Sequence, residues 1–271
     1  MSGVKISFLG TGAGGSVHRG HTSIVVNSPD GSRVMLDASS GNTVFRNSGT
    51  LGMAPESFRH VLLSHDHADH MSGLPLIQLV YSRADPQGPP LEVHTGPGPL
   101  ENVKLLCQVT TPGLRIDDAG ADNYGGRRVY LWHPSTPGRS VSLGPRTHAA
   151  SFPVNHIPGA LGWRLDCDGM TVVFSGDTMF SPHLVKAAQG ARLLIHEAYG
   201  TEADRERAEG AAHCVAADAG KAAAQAGVAE LILTHITNQY HADPQPLLDE
   251  ARQHFDGPIS VAHDLYQVEI N

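Results

Sequence analysis

The amino-acid sequence predicts a layered α/β fold, and three observations support this prediction. Short apolar runs rich in β-branched residues recur along the chain, which is typical of buried strands. Helix-like or alanine-rich segments separate many of these runs, as expected when helices cover sheets. The chain has 271 residues, of which 40% are hydrophobic, so it is long enough to bury a complete core. We therefore predict a single domain over residues 1–271.

The predicted elements follow one another in chain order. Strands are predicted at residues 4–9, 23–26, 34–36, 61–63, 172–174, 193–195, 231–233, 259–262 and 265–270. Helices are predicted at residues 73–80, 182–189, 213–226 and 246–255. Between residues 82 and 146, Pro, Gly and Asp interrupt several short strand candidates. We expect this segment to carry a short substrate-facing insertion.

Composition narrows the classes of function and partner. The net charge of −8 argues against nucleic acid as the default partner, without excluding it, because nucleic-acid affinity depends mainly on Lys and Arg contacts to phosphate. No apolar run approaches the ~20 residues of a membrane span, and the first residues hold too short an apolar stretch for a signal peptide. We therefore expect a cytoplasmic protein without membrane contact. The cysteines Cys107, Cys167 and Cys214 have no C-x-x-C spacing, which argues against a disulfide framework and a cysteine zinc site.

Histidine is unusually abundant in this sequence. There are 17 histidines against 6 tyrosines, and neutral imidazole is the commonest protein ligand for transition metals. Several apolar runs also lead to a residue that can bind metal or transfer protons. These residues are Asp37, His65, Asp177, His196 and His235. Because ligands gather at the carboxyl ends of strands in layered α/β proteins, we expect these endings to converge on one site.

The motif His65-x-His67-x-Asp69-His70 places three imidazoles and a carboxylate within six residues. In an extended segment His65 and His67 share a side and can hold one ion. If a helix follows directly, Asp69 and His70 turn toward a second ion. A closed structural zinc site needs only four ligands. The motif and the candidate residues at other strand ends together exceed that number, which favours a catalytic site over a structural one. The alternative is a solvated histidine cluster, or one paired with carboxylates.

Other histidines are isolated in the sequence and are interpreted as surface or packing residues. They are His18, His60, His94, His133, His183 and His254.

Through this motif the sequence resembles the metallo-β-lactamase superfamily. The pattern His-x-His-x-Asp-His is specific to that superfamily. The resemblance covers nearly the whole chain and implies an α/β fold of the four-layer αββα sandwich type. It also implies a binuclear centre in which Asp177, in Ser-Gly-Asp-Thr, bridges two metals. The implied ligands are His65, His67 and His156 for one metal and Asp69, His70 and His235 for the other.

Within the superfamily, four stretches resemble the ribonuclease Z-like phosphodiesterase branch. They are residues 8–12, 158–163, 196–198 and 231–235. His196 matches an additional catalytic histidine of that branch, although Tyr199 stands where its motif normally has Thr. The segment Leu105 to Arg146 is short and mixes arginines with aspartates, so it does not resemble the long basic arm of tRNA-processing members.

The resemblance implies hydrolysis by a hydroxide that bridges two divalent metal ions. Zinc suits the His and carboxylate ligands, with manganese or iron as alternatives. Asp69 is expected to orient the nucleophile and accept its proton, and His196 to donate a proton to the leaving oxygen or stabilise charge there. The alternative for His196 is a core histidine paired with an acid. We expect Asp37 to shape the ligand loop through hydrogen bonds, and His263 to line or support the pocket.

The predicted function is therefore a metal-dependent hydrolase. A small phosphodiester is the expected substrate, because the resemblance is strongest to phosphodiesterases. The alternatives are an arylsulfatase, lactonase or thioesterase, a tRNA 3′-processing endoribonuclease, and an iron-dependent redox or sensor protein. The resemblance also suggests a homodimer.

Overall fold

Two β-sheets form the centre of the computed structural model, which describes residues 3–54, 57–84, 88–110, 115–116, 121–124 and 127–271. The first sheet contains β1 (Val4–Gly10), β2 (Ser23–Asn27), β3 (Arg33–Leu36), β4 (His60–Leu62), β5 (Leu91–Thr95), β6 (Arg115–Ile116), β7 (Ala121–Tyr124), β8 (Arg127–Pro134) and β16 (Gln267–Ile270). Their order is β16-β1-β2-β3-β4-β5-β8-β7-β6. Pairing is parallel from β3 through β4 and β5 to β8.

The second sheet is built from the later part of the chain. It contains β9 (Ser140–Ser142), β10 (Thr147–Pro153), β11 (Leu161–Cys167), β12 (Met170–Phe174), β13 (Leu193–Glu197), β14 (Leu231–Thr234) and β15 (Ile259–Val261). Their order is β15-β14-β13-β12-β11-β10-β9. Pairing from β12 to β15 is parallel, so these strands present their carboxyl ends at one edge.

Helices cover the outer faces of both sheets. They are α1 (Thr43–Thr50), α2 (Ala68–Met71), α3 (Leu74–Ala84), α4 (Pro97–Thr110), α5 (Pro182–Ala187), α6 (Arg205–Gly210), α7 (Ala216–Ala226) and α8 (Gln245–Arg252). Short 3-10 helices cover Glu202–Asp204 and Asn238–Tyr240.

Alternating side chains divide the core into three apolar layers. On β3, Val34 and Leu36 face the second sheet, whereas Met35 packs with residues of α1, α3 and α4. On β12, Phe174 lies between the sheets and Val173 packs with α5, α7 and α8. This two-residue period is what strand geometry dictates. The layers therefore run helix, sheet, sheet, helix, and the predicted αββα sandwich is confirmed.

The segment 82–146 contributes to the sandwich in its described part. It supplies β5 and β8 to the first sheet, and α4 to its helical cover. Residues 85–87, 111–114, 117–120 and 125–126 of this segment lie outside the described residues. A substrate-facing insertion in this segment therefore stays a prediction. Among the described helices, none combines the length and the hydropathy that a membrane crossing requires.

Candidate active site

The histidine motif leaves the first sheet at the carboxyl end of β4. His65 is fully buried just beyond this strand. His67 keeps an extended backbone, with φ −69° and ψ 148°, and is the N-cap of α2. Asp69 lies in the first turn of this helix and His70 in its last turn. The change from extended to helical backbone within the motif gathers its four donor side chains at one strand end.

The second sheet supplies three more donors at its strand ends. Asp177 follows β12, and Gly176 before it has a φ of 59°, a conformation that glycine adopts at little cost. His235 follows β14 with a φ of 57°. His156 lies between β10 and β11, and its Nδ1 is 2.9 Å from the carbonyl oxygen of Ala212.

These donors form two overlapping groups, in each of which the donor atoms lie within 4.8 Å of one another. The first group is His65, His67, His156 and Asp177. The second group is Asp69, His70, Asp177 and His235. The structure therefore brings together all seven side chains for which the sequence predicted metal binding, and Asp177 is common to both groups.

The donor atoms face one another inside these groups. His67 Nδ1 lies 3.1 Å from His156 Nε2, and the buried Nε2 of His65 has no hydrogen-bonding partner among the described residues. His70 Nε2 lies 3.1 Å from Oδ2 of Asp177. Imidazole nitrogens directed at one another and at a carboxylate suit transition-metal ions. The residues therefore fit divalent metal ions.

Local charges hold the carboxylates of the two groups in the anionic form that binds metal. Burial would raise the pKa of the Asp177 carboxyl group, but His235 and His70 outweigh burial and hold this pKa well below its usual range. Burial would also raise the pKa of Asp69, but hydrogen bonds with the same two imidazoles outweigh burial and lower it. Burial lowers the pKa of His65, and the charge of His70 adds to this effect. Burial would lower the pKa of His70, but the carboxylates of Asp177 and Asp37 outweigh burial and raise this pKa well above its usual range. Because anionic carboxylates and neutral imidazoles are the forms that coordinate metals, metal binding must displace a proton from His70.

Asp37 supports the ligand loop from within the core. Its Oδ1 accepts a hydrogen bond from the backbone N–H of Ser64 at 2.6 Å, and its Oδ2 accepts one from the Ser64 hydroxyl at 2.8 Å. The same Oδ2 lies 2.7 Å from Nδ1 of His70. Ser64 Oγ in turn lies 2.9 Å from Nδ1 of His65. Asp37 therefore orients two imidazoles of the donor groups, one directly and one through Ser64.

A cavity of about 370 Å³ opens over the two groups. Part of its wall is the glycine-rich segment 13–16, between β1 and β2. Gly14 faces the site, because a Cβ at this position would lie 3.1 Å from Oδ2 of Asp69. Other parts of the wall are Tyr199, Arg207 and His213.

The structure does not bring His196 into this cavity. His196 shares a face of β13 with Leu194, which packs beneath the covering helices. Its side chain is 1% exposed, and its Nδ1 donates to the carbonyl oxygen of Glu197 at 2.8 Å. His196 thus lies in the core, as its alternative predicted, although its ring bonds to a backbone carbonyl oxygen where that alternative had an acid. The role of proton donor expected for His196 finds no support in this position. His263 is exposed and does not line the cavity, and its Nδ1 lies 2.9 Å from the carbonyl oxygen of Asp264.

His213 lies in the cavity wall instead. Its Nδ1 is 2.9 Å from Oε1 of the buried Glu197, and its ring stacks on Tyr199 with ring centroids 4.7 Å apart. Burial lowers the pKa of His213, but the carboxylate of Glu197 outweighs burial and raises it to about 9. Sequence reasoning missed this residue because it searched strand ends, and His213 stands at the start of a predicted helix.

The sequence and the fold are similar to those of known proteins. The sequence profile described as "Beta-lactamase superfamily domain" matches residues 32–236, a range that contains both donor groups. The ribonuclease Z of Haloferax volcanii is 31% identical over 311 residues, covering 98% of this chain and 95% of that protein.

Solved structures give the same picture of the fold. The metallo-beta-lactamase fold protein YhfI from Bacillus subtilis has a TM-score of 0.81 at 20% identity, over 99% of this chain and 100% of that chain. A diphosphatase from the PhnP family has a TM-score of 0.71 at 16% identity, over 99% and 98% of the two chains.

The αββα layers and the donors at the carboxyl ends of their strands define a metal-dependent hydrolase of the metallo-β-lactamase fold. The chain belongs to the beta-lactamase superfamily, in its ribonuclease Z-like branch.

Proposed function

We propose that this chain binds two zinc ions and hydrolyses a small phosphodiester. The observation that carries the proposal is the position of Asp177, which both donor groups share. Its Oδ2 lies 3.7 Å from His65 Nε2, 4.0 Å from His156 Nε2, 3.1 Å from His70 Nε2 and 3.3 Å from His235 Nε2. A carboxylate common to two donor groups suits two metal ions held about 3.5–4 Å apart. Histidine and carboxylate donors suit zinc.

When bound, two such ions lower the pKa of a water that they share and neutralise charge on a phosphoryl group. The chain itself supplies the proton transfers. We assign Asp69, an anionic carboxylate in the cavity wall, to orient the attacking water and accept its proton.

We assign His213 to donate the proton to the leaving oxygen. Glu197 holds Nδ1 of this imidazole, so Nε2 is the nitrogen that can serve a substrate in the cavity. This assignment replaces His196, whose side chain lies on the opposite face of β13 from that of Glu197.

The size and charge of the cavity support a small substrate. Its volume of about 370 Å³ lies in the range of small-molecule sites. Among its described lining residues, Arg207 is the one side chain that is always cationic. A long polyanion needs many phosphate contacts from Lys and Arg, whereas a small diester needs few. The likeness to a diphosphatase of the PhnP family agrees with hydrolysis at phosphorus.

The test is hydrolysis of bis-p-nitrophenyl phosphate together with metal analysis of the purified protein. We expect at least about two equivalents of zinc, and loss of both the activity and part of the metal in Asp177→Ala. Asp256→Ala, at an exposed aspartate, is the matched control. Turnover of p-nitrophenyl sulfate or acetate, or of a lactone or thioester, without diesterase activity would overturn the substrate class. Bound iron with a visible absorption spectrum would favour the redox or sensor alternative.

A second candidate function is processing of tRNA 3′ ends. It is favoured by the 31% identity to a ribonuclease Z over 98% of this chain. Cleavage of a precursor tRNA with a 3′ trailer separates the two proposals. If its kcat/KM exceeds that for small diesters, the endoribonuclease assignment replaces the first one.

A further inference from the structure

Four side chains that can bind metal also cluster on the inner face of the first sheet. His60 begins β4, Glu92 and His94 lie on β5, and His133 lies on β8. The parallel register places His60 opposite Glu92, and His94 opposite His133. Residues two apart on a strand share a face, so the four side chains project from one face. Leu62 shares that face and lies in the core between the sheets.

These side chains, which we call the inner-face cluster, are close enough to share an ion. One donor atom from each of His60, Glu92 and His94 lies within 4.8 Å of the other two. Glu92 Oε2 is 3.9 Å from His94 Nε2 and 3.2 Å from His133 Nε2. The rings of His94 and His133 are stacked, with centroids 4.5 Å apart.

Buried ring nitrogens of this cluster lack the hydrogen bonds that buried polar groups normally make. His94 is 3% exposed, and neither of its ring nitrogens has a hydrogen-bonding partner in the described part of the chain. Nδ1 of His60 is also buried without such a partner. Folded proteins satisfy nearly all buried polar atoms, so this cluster calls for a ligand.

We propose that His60, Glu92 and His94 bind one divalent transition-metal ion of the zinc class. Two imidazoles and one carboxylate are an established zinc donor set. His133 is a positioning residue that holds the Glu92 carboxylate. A cavity of about 360 Å³, lined by Glu92, His94, His133 and the strand β9, gives an ion access from solvent.

This site is separate from the candidate active site. The two donor sets share no residue. Along the chain, His60 lies five positions before His65, roughly 16 Å apart if the segment stays extended. Metal binding by the inner-face cluster therefore does not depend on the proposed phosphodiesterase activity.

The test is zinc binding by a variant in which both active-site donor groups have lost most of their donors, His65→Ala/His67→Ala/His70→Ala/Asp177→Ala/His235→Ala. After equilibration with zinc and removal of excess metal, we expect about one equivalent to remain. Adding His94→Ala should remove it, with the zinc affinity weakened at least about tenfold. Adding His254→Ala, at an exposed histidine, should leave the equivalent in place.

Glu92→Gln is the second test, because Glu92 is partly exposed and the change keeps the shape of the side chain. It should lower zinc binding in the same background and, in the otherwise unaltered protein, remove one equivalent while the diesterase activity persists. The proposal is overturned if the five-alanine background is folded by circular dichroism and binds no zinc. It is equally overturned if His94→Ala and Glu92→Gln both bind as much as their parent.

Discussion

Oδ2 of Asp37 lies 2.7 Å from Nδ1 of His70 and also accepts the hydroxyl of Ser64. A single buried carboxylate thus fixes the ring orientation of a ligand in one donor group and, through Ser64, of His65 in the other. Residues that hydrogen-bond to a metal ligand raise its basicity and hold its geometry.

Replacement of this carboxylate should weaken metal binding without abolishing the fold. We expect Asp37→Asn to lower zinc affinity about 10- to 100-fold. Asn is the suitable replacement because Asp37 has a φ of 55°, which Asn tolerates. Competition with a zinc chelator measures the change. Asp66→Asn, in the same loop but outside both donor groups, is the control, and an equal loss there would contradict a specific role for Asp37.

Loss of the proposed proton donor should slow turnover and spare metal content. We expect His213→Gln to lower kcat about 10²- to 10⁴-fold, because general acid catalysis contributes on this scale. The loss should be larger for an alkyl leaving group than for p-nitrophenolate, which leaves without much help from an acid. His196→Gln should keep kcat per folded molecule. If the two variants lose the same activity, the assignment to His213 fails.

The pH dependence of activity should report the contact between Glu197 and His213. The carboxylate raises the pKa of His213, and a general acid works only while it is protonated, so activity should fall as pH rises through this pKa. Glu197→Gln removes the charge and should lower the pKa. The alkaline limb of the kcat profile is then expected at lower pH than in the unaltered protein. A limb that stays in place would show that another group controls it.

The glycine-rich wall offers a matched pair of substitutions. A Cβ on Gly14 would lie 3.1 Å from Asp69 Oδ2, whereas a Cβ on Gly15 would meet nothing within 4 Å. Crowding of this kind typically costs about 1–3 kcal/mol. We therefore expect Gly14→Ala to lower kcat/KM for the diester about tenfold or more, and Gly15→Ala to leave it unchanged. Equal effects of the two changes would mean that Gly14 does not shape the site.

A stability prediction concerns Asp30, which joins the two sheets. It accepts hydrogen bonds from the N–H of Arg146 at 2.8 Å, the Thr147 hydroxyl at 2.9 Å and the N–H of Ser32 at 2.9 Å. We expect Asp30→Asn to lower the free energy of unfolding by about 1–2 kcal/mol in urea titrations.

This stabilisation should depend on pH in a defined direction. Burial opposes the shift, but the hydrogen bonds from Arg146 and Ser32 hold the folded-state pKa of Asp30 well below its usual range. The contribution is therefore present above pH of about 4 and lost as the pH falls further. Asp256→Asn, at an exposed site, should change neither the free energy of unfolding nor its pH dependence. A difference between Asp30→Asn and the unaltered protein that persists in acid would contradict this account.

Much of the sandwich could be predicted because its strands are continuous apolar runs and their ends carry the reactive residues. The helices α1 and α4 escaped prediction. Residues 43–50 are rich in Asn, Ser, Thr and Gly, and residues 97–99 read Pro-Gly-Pro, compositions that favour turns over helices. Both helices form because an apolar face packs on the first sheet, which the local sequence does not reveal.

The active site, like the fold, could be predicted only in part. The motif residues lie next to one another in sequence, so their proximity was readable, whereas the contact of His213 with Glu197 depends on how a loop folds back over β13. The inner-face cluster was invisible for another reason. His60, His94 and His133 were interpreted as surface or packing residues, and only the pairing of β4, β5 and β8 makes them neighbours.

The order in which the donors occur along the chain has a consequence for biosynthesis. The motif donors emerge early from the ribosome, but Asp177 and His235 follow more than a hundred residues later. A nascent chain that stops before Asp177 holds neither donor group complete, and the second group waits for His235. Under the proposed two-metal function, capture of the ions must therefore come late in synthesis, after most strands of both sheets have been made.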